Sequence, residues 1–132
     1  MSTPEFPDQG ILWRGWEDET LRIINDKQQP ILLFVRDVDP LIWPFLRETF
    51  KAMPKSAKLR DLLHERCVAL YLEAEKLPEE LQLLGAGSRY HIAILSPYGL
   101  TPLVTIDPKG GKPAEVVERI VLVLERVLEN WR

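Results

Sequence analysis

One cysteine, two histidines and a few acidic residues beside apolar runs are the groups in this 132-residue chain that could do chemistry. A thiol attacks as the thiolate, and it needs an exposed, electropositive setting to ionise near neutral pH. Cys67 instead opens the apolar run Cys67-Val68-Ala69-Leu70-Tyr71-Leu72, which predicts burial and an inert sulfur. With a single cysteine there is no intrachain disulfide, no Cys-x-x-Cys couple and no multi-cysteine metal site. A zinc ion could draw only on Cys67, His64, His91 and carboxylates. Asp37 and Asp39, with Glu73 or Glu75, could gather at one end of a sheet, where ligands of open α/β proteins bind. Such carboxylates do acid–base work or hold a cation. The competing expectation is that Asp39 caps a helix and the others are solvated loop residues. His64 fits a helix surface near its C-terminus, and His91 sits at the start of a strand. No Ser-His-Asp set, phosphate-binding glycine loop or His-x-x-x-His pair is present, and neither cofactor nor metal is expected.

The elements that must position these groups follow from periodicity and punctuation. Pro4, Pro7 and Gly10 mark residues 1–10 as an irregular arm, and Ile11-Leu12-Trp13 can add a short strand. Trp16 to Gln28 reads as a helix with Glu17, Asp18 and Glu19 in its first turn, where negative charge suits the helix dipole. Ile31 to Val35 is an unbroken apolar run, the pattern of a strand covered on both faces. A helix from about Pro40 to Ala52 follows, with Asp39 as N-cap and Pro44 near its first turn. Met53-Pro54-Lys55 interrupts it, and Ser56 caps the next helix, which runs to Arg66 with Leu59, Leu62 and Leu63 inward. The Cys67 run is the next strand, and Pro78 to Leu84 a short helix closed by Gly85-Ala86-Gly87. Tyr90 to Leu95 and Leu103 to Ile106 form a hairpin across Ser96-Pro97-Tyr98-Gly99. A terminal helix then runs to about Asn130. The order (β)αβαβαββα makes this an α/β chain with a mixed central β-sheet flanked by helices, in a single domain spanning 1–132.

Composition bounds the function. At 132 residues one core can bury most of the chain's surface, and 45% hydrophobic with 28% charged residues describes an ordinary globular domain. A net charge of −3 provides no basic field for nucleic acid or anionic lipid. No apolar stretch approaches the ~20 residues that span a bilayer. The start, Met1 to Asp8, lacks the pattern of a signal peptide, so the cytoplasm is the expected location.

The strand Gln29-Pro30-Ile31-Leu32-Leu33, the turn Leu41-Ile42-Trp43-Pro44, the helix Arg47-Glu48-Thr49-Phe50 and the hairpin Leu95-Ser96-Pro97-Tyr98-Gly99 stand in the order found in thioredoxin-like domains. Over roughly Trp16 to Trp131 the chain resembles those whose motif is Cys-x-Trp-Cys. Trp43 matches the motif tryptophan, whereas Leu41 and Pro44 stand where its two cysteines would be. The resemblance also places a cis-proline before the strand containing Ile92 to Leu95. Tyr90, or a residue next to it, occupies that place, and it is not proline.

What the resemblance implies is therefore a thioredoxin-like fold without dithiol chemistry, most simply a binding or assembly module and not an enzyme. Asp39, Leu41, Ile42 and Trp43, with Tyr90 and His91, are the candidate partner surface at the former active-site rim. The competing expectation is that Leu41 and Trp43 fold down into the core. Val116, Val117, Ile120, Val121, Val123, Leu124, Val127, Leu128 and Trp131 make a wide apolar stripe on the last helix. Leu122 falls on its polar side and offers a second surface, for a protein partner or for self-association. The alternative is a thiol-dependent redox enzyme or sensor using Cys67 with an external thiol such as glutathione.

Overall fold

The computed structural model describes residues 10–79, 81 and 91–131. Five strands form one mixed sheet: β1 Trp13–Arg14, β2 Ile31–Arg36, β3 Val68–Glu73, β4 Ile92–Leu95 and β5 Pro102–Ile106. Their spatial order is β1-β3-β2-β4-β5. β1 and β2 both lie parallel to β3, while β4 runs antiparallel to β2 and to β5. The helices are α1 Asp18–Lys27, α2 Trp43–Ala52, α3 Ala57–Glu65 and α4 Pro113–Glu129, with short 3-10 turns at Met53–Lys55 and Ala74–Lys76.

Ile31 to Val35 are all buried, and their alternation divides the core in two. Leu32 and Phe34 join Ala69, Tyr71, Ile92 and Ile94 beneath Leu46, Phe50, Leu59, Ile120 and Leu124 of the helices. Ile31, Leu33 and Val35 face the other way, with Leu70, Leu72, Ala93 and Leu95 against Ile24 of α1 and Leu81. The unbroken apolar run exists because helices cover both faces of the sheet. Trp13, Phe34, Phe50 and Tyr71 meet edge-on or stacked at the centre of the first layer, with centroids such as Phe34 and Phe50 5.0 Å apart.

Local chemistry explains most boundaries. Ser56 caps α3, its Oγ accepting the Leu59 N–H at 3.2 Å. Gln28 ends α1 in the left-handed region at φ 50°, its N–H bonded to the Ile24 carbonyl. The β4–β5 turn closes with the Ser96 N–H donating to the Thr101 carbonyl at 2.8 Å, and Gly99 takes the φ of 79° that the turn requires. The indole N–H of Trp131 donates to the Gln28 carbonyl at 2.8 Å and its ring stacks on Tyr98, which pins the end of α4 beside the hairpin.

Three expectations need correction. α1 begins at Asp18, not Trp16, and α2 begins at Trp43, not Pro40. Asp39 does not cap α2, whose N-cap is Ile42. Its Oδ1 accepts the Leu41 N–H at 2.9 Å, and its carbonyl accepts the N–H groups of Ile42 and Trp43. Just upstream, Asp37 Oδ1 accepts the Asp39 N–H at 3.0 Å. Two successive aspartate turns therefore occupy residues 37–41 and delay the helix. Pro44 does fall at the start of the helix, where its missing N–H costs nothing. The helix expected over Pro78 to Leu84 and its Gly85-Ala86-Gly87 close lie largely outside the described residues.

Candidate functional site

Strand register brings the chemistry together. Phe34 pairs with Ile92, and Ile92 pairs with Ile106. The end of β2, the start of β4 and the end of β5 therefore reach one edge of the sheet at the same level. Each strand is followed or preceded there by a polar residue: Asp37 after β2, His91 before β4 and Asp107 after β5. The Val35 N–H donates to the His91 carbonyl at 2.7 Å, so the backbone pairing continues one residue beyond the β4 ladder.

His91 Nε2 lies 2.9 Å from Asp37 Oδ2. The imidazole is 7% exposed, so a carboxylate and a ring are held together at the mouth of the core by residues 54 apart in the chain. Burial makes such a contact stronger than a surface pair, and its loss would leave a poorly solvated group behind. The pair opens onto a cleft of about 550 Å³, lined also by Asp39, Leu41, Ile42, Thr105, Ile106, Asp107, Pro108 and Lys109. Asp107 Oδ1 accepts the Lys109 N–H at 2.8 Å, a third aspartate turn in the same wall. The Lys109 ammonium lies 5.9 Å from the centre of the Phe45 ring.

The expected rim is rearranged. Leu41 is 76% exposed, but Ile42 beside it is buried. Trp43 is half-buried against the core, with the Arg36 guanidinium 5.2 Å over its ring. Val38 and Phe45, which the sequence did not single out, are exposed with Leu41. The apolar part of the rim is thus Val38, Leu41 and Phe45, while Ile42 and Trp43 serve the core. The delayed start of α2 is the cause, since it turns Leu41 outward and Ile42 inward.

The other sequence candidates separate. Glu73 pairs with Lys76 at 3.8 Å, and neither Glu73 nor Glu75 lines the cleft. Tyr90 lies outside the described residues. His64 is exposed on α3. Leu122 is 63% exposed on α4, but the apolar stripe beside it is largely covered by the protein itself. Among the described residues no group of three or more His, Cys, Asp and Glu side chains could hold a metal ion.

Cys67 occupies the opposite end of the sheet. Val68 pairs with Ile31 and its N–H donates to the Pro30 carbonyl, which sets Cys67 at the start of β2 and Asp37 beyond its end. At about 3.3 Å per residue the two are roughly 20 Å apart. Cys67 is buried immediately before β3, and burial pushes its thiol up from 9.0 to about 12, against a smaller opposing pull from the Arg66 charge. On the order of one molecule in 10⁵ then carries the thiolate at pH 7.

No family model and no curated protein matches this chain. Among solved structures it is similar to a protein described as a DsbH oxidoreductase. The TM-score is 0.56 at 15% identity, over 95% of this chain and 92% of that one. Identity this low carries the architecture and nothing about activity. Together, the β1-β3-β2-β4-β5 sheet, its antiparallel β4–β5 hairpin, the helices on both faces and this likeness show that the chain has a thioredoxin-like fold.

Proposed function

We propose that this protein is a binding module built on a thioredoxin-like fold, which holds a segment of a partner protein at the cleft edged by Leu41. The single observation that carries this is the setting of Leu41. It is 76% exposed, flanked by the exposed Val38 and Phe45, and it opens onto a wall containing Asp37, Asp39 and Asp107. Large exposed apolar side chains are the anchors of an interface centre, and the charged groups around them form its polar rim. The aspartates outnumber Lys109 in that wall, which favours a segment carrying an apolar side chain next to Lys or Arg. Leu41 and Pro44 supply neither a nucleophile nor a resolving thiol, so the partner is held and not reduced.

A photo-activated cross-linking side chain in place of Leu41 tests the reading inside the native cell. A discrete adduct is expected from position 41 and none from position 12, where Leu12 is also exposed but belongs to β1's end of the chain. Adducts of equal yield at both positions would reject the surface. Purified protein should also leave an insulin disulfide intact in the presence of a thiol reductant, at the rate of a no-protein control. A clear acceleration would reject the non-catalytic part.

A further inference from the structure

We infer that His91 is the specificity-determining group of the Leu41 cleft: its Nδ1 accepts a hydrogen bond from a basic side chain of the bound segment, and protonation of that nitrogen releases it. This rests on the reading of the cleft as the seat of a partner segment. His91 Nε2 lies 2.9 Å from Asp37 Oδ2. An ionised carboxylate only accepts, so the proton of the neutral ring stays on Nε2 and Nδ1 keeps its lone pair. The ring is 7% exposed and lines the cleft, and among the described residues Nδ1 has no hydrogen-bond partner. A nearly buried acceptor left open beside a cavity is completed by a donor that enters the cavity.

The charges around the imidazole choose the donor. Asp37 and Asp39 come from the end of β2 and Asp107 and Lys109 from the end of β5, while the approach to α2 presents only Leu41 and Ile42. Arg36 is turned onto the Trp43 ring. Among the described residues Lys109 makes no ion pair, and its ammonium lies over Phe45. Asp39, Asp107 and Lys109 are exposed, so solvent and salt screen them more than Asp37, which is half-buried beside the ring. A guanidinium or ammonium donor therefore meets a wall of net negative charge. Once Nδ1 takes up a proton the ring no longer accepts, and it adds a positive charge next to the best-shielded carboxylate. Both changes oppose a basic side chain. Imidazole is the side chain that ordinarily changes charge between pH 5 and 8, a range in which ordinary carboxylates stay ionised. Affinity for the segment therefore falls as pH drops through that range.

Nuclear magnetic resonance of the full chain, with N-acetyl-leucyl-arginine amide as the probe, tests this. The ring nitrogen signals of His91 should show the proton on Nε2 alone at about pH 8. The probe should shift the amides of Leu41 and Asp107, with a Kd roughly tenfold lower at about pH 8 than at about pH 5.5. His91→Gln, which keeps a neutral donor for Asp37, should bind with the same Kd at both. By linkage, saturating probe should lower the pH at which His91 takes up its second proton and leave His64, exposed on α3, unmoved. That measurement uses the native chain and decides the matter if His91→Gln lowers the thermal midpoint. A neutral ring protonated on Nδ1, equal affinity at both pH values, or a His91 titration indifferent to the probe would overturn the inference and leave the cleft reading standing. A probe that shifts neither amide at any pH would remove the reading and the inference with it.

Discussion

The two ends of strand β2 are built from opposite materials on one continuous ladder. At its start, Pro30 and Ile31 pack level with Cys67 and Val68, and every one of these residues is buried. At its far end the strand runs out into Arg36, Asp37, Val38 and Asp39, none of them fully buried, beside a cleft and an exposed leucine. The chain's one thiol is at the dry end, and its buried imidazole is at the wet one. A thiol is quiet where the cost of burying the thiolate outweighs the pull of a nearby cation, here Arg66, whereas the imidazole at the open end meets a carboxylate and solvent together. Reactivity therefore follows which end of the sheet a group occupies more than which groups the chain contains.

The largest test of this contrast is the silence of Cys67. Native protein should react with a thiol reagent roughly 10³-fold more slowly than the unfolded chain, the ratio of thiolate expected for a thiol raised from 9.0 to about 12. Labelling within tenfold of the unfolded rate would erase the distinction between the two ends. The same shift has a signature in stability. The folded state holds the thiol proton more tightly than the unfolded chain. Its contribution is therefore complete below pH 9 and is lost as pH rises toward 12. Over that window the unfolding free energy should fall by roughly 1.4 kcal/mol per pH unit more steeply than in Cys67→Ala, measured by urea titration.

At the open end the effects are smaller. Asp37→Ala should destabilise by about 1–3 kcal/mol, because it leaves the 7%-exposed His91 without its carboxylate. The double variant with His91→Phe should cost less than the sum of the two single changes. Additive losses in denaturant titrations would show that the two groups are not coupled. Leu41→Ser should change stability by no more than about 0.5 kcal/mol, because an exposed side chain contributes little to the fold, while lowering the yield of a cross-linking side chain placed instead at the neighbouring exposed Val38. A loss above about 2 kcal/mol would mean that Leu41 is packed in solution and that the rim is no surface.

Much of the architecture was legible in the residues. The unbroken Ile31 to Val35 run announced a strand covered on both faces, Met53-Pro54 and Ser56 announced the break between α2 and α3, and Ser96 to Gly99 announced the hairpin. Such signals are local, since each depends on neighbours a few positions away. The site was legible only in pieces. Asp37 and His91 were both singled out, one as a loop carboxylate and the other as a strand-start histidine, but nothing in the chain paired them. Their pairing needs the antiparallel register of β4 on β2, a relation across 54 residues. The rim was legible in part, and for a nearer reason. The side chains of Asp37 and Asp39 accept backbone N–H groups ahead of α2, which begins only at Trp43, and of the expected rim residues Leu41 stays exposed while Ile42 is buried.

The sequence by itself determined that this chain has one cysteine, with Leu41 and Pro44 at the two motif positions, so it forms no intrachain dithiol couple. It also determined the alternation of elements and the apolar content that closes the core. Only the tertiary structure decided where the remaining chemistry sits. It set Cys67 in a dry corner, joined His91 to Asp37, and left Leu41 and Leu122 facing outward. Ionisation and exposure depend on what surrounds a group in space, and in this fold those surroundings come from strands and helices far apart along the chain.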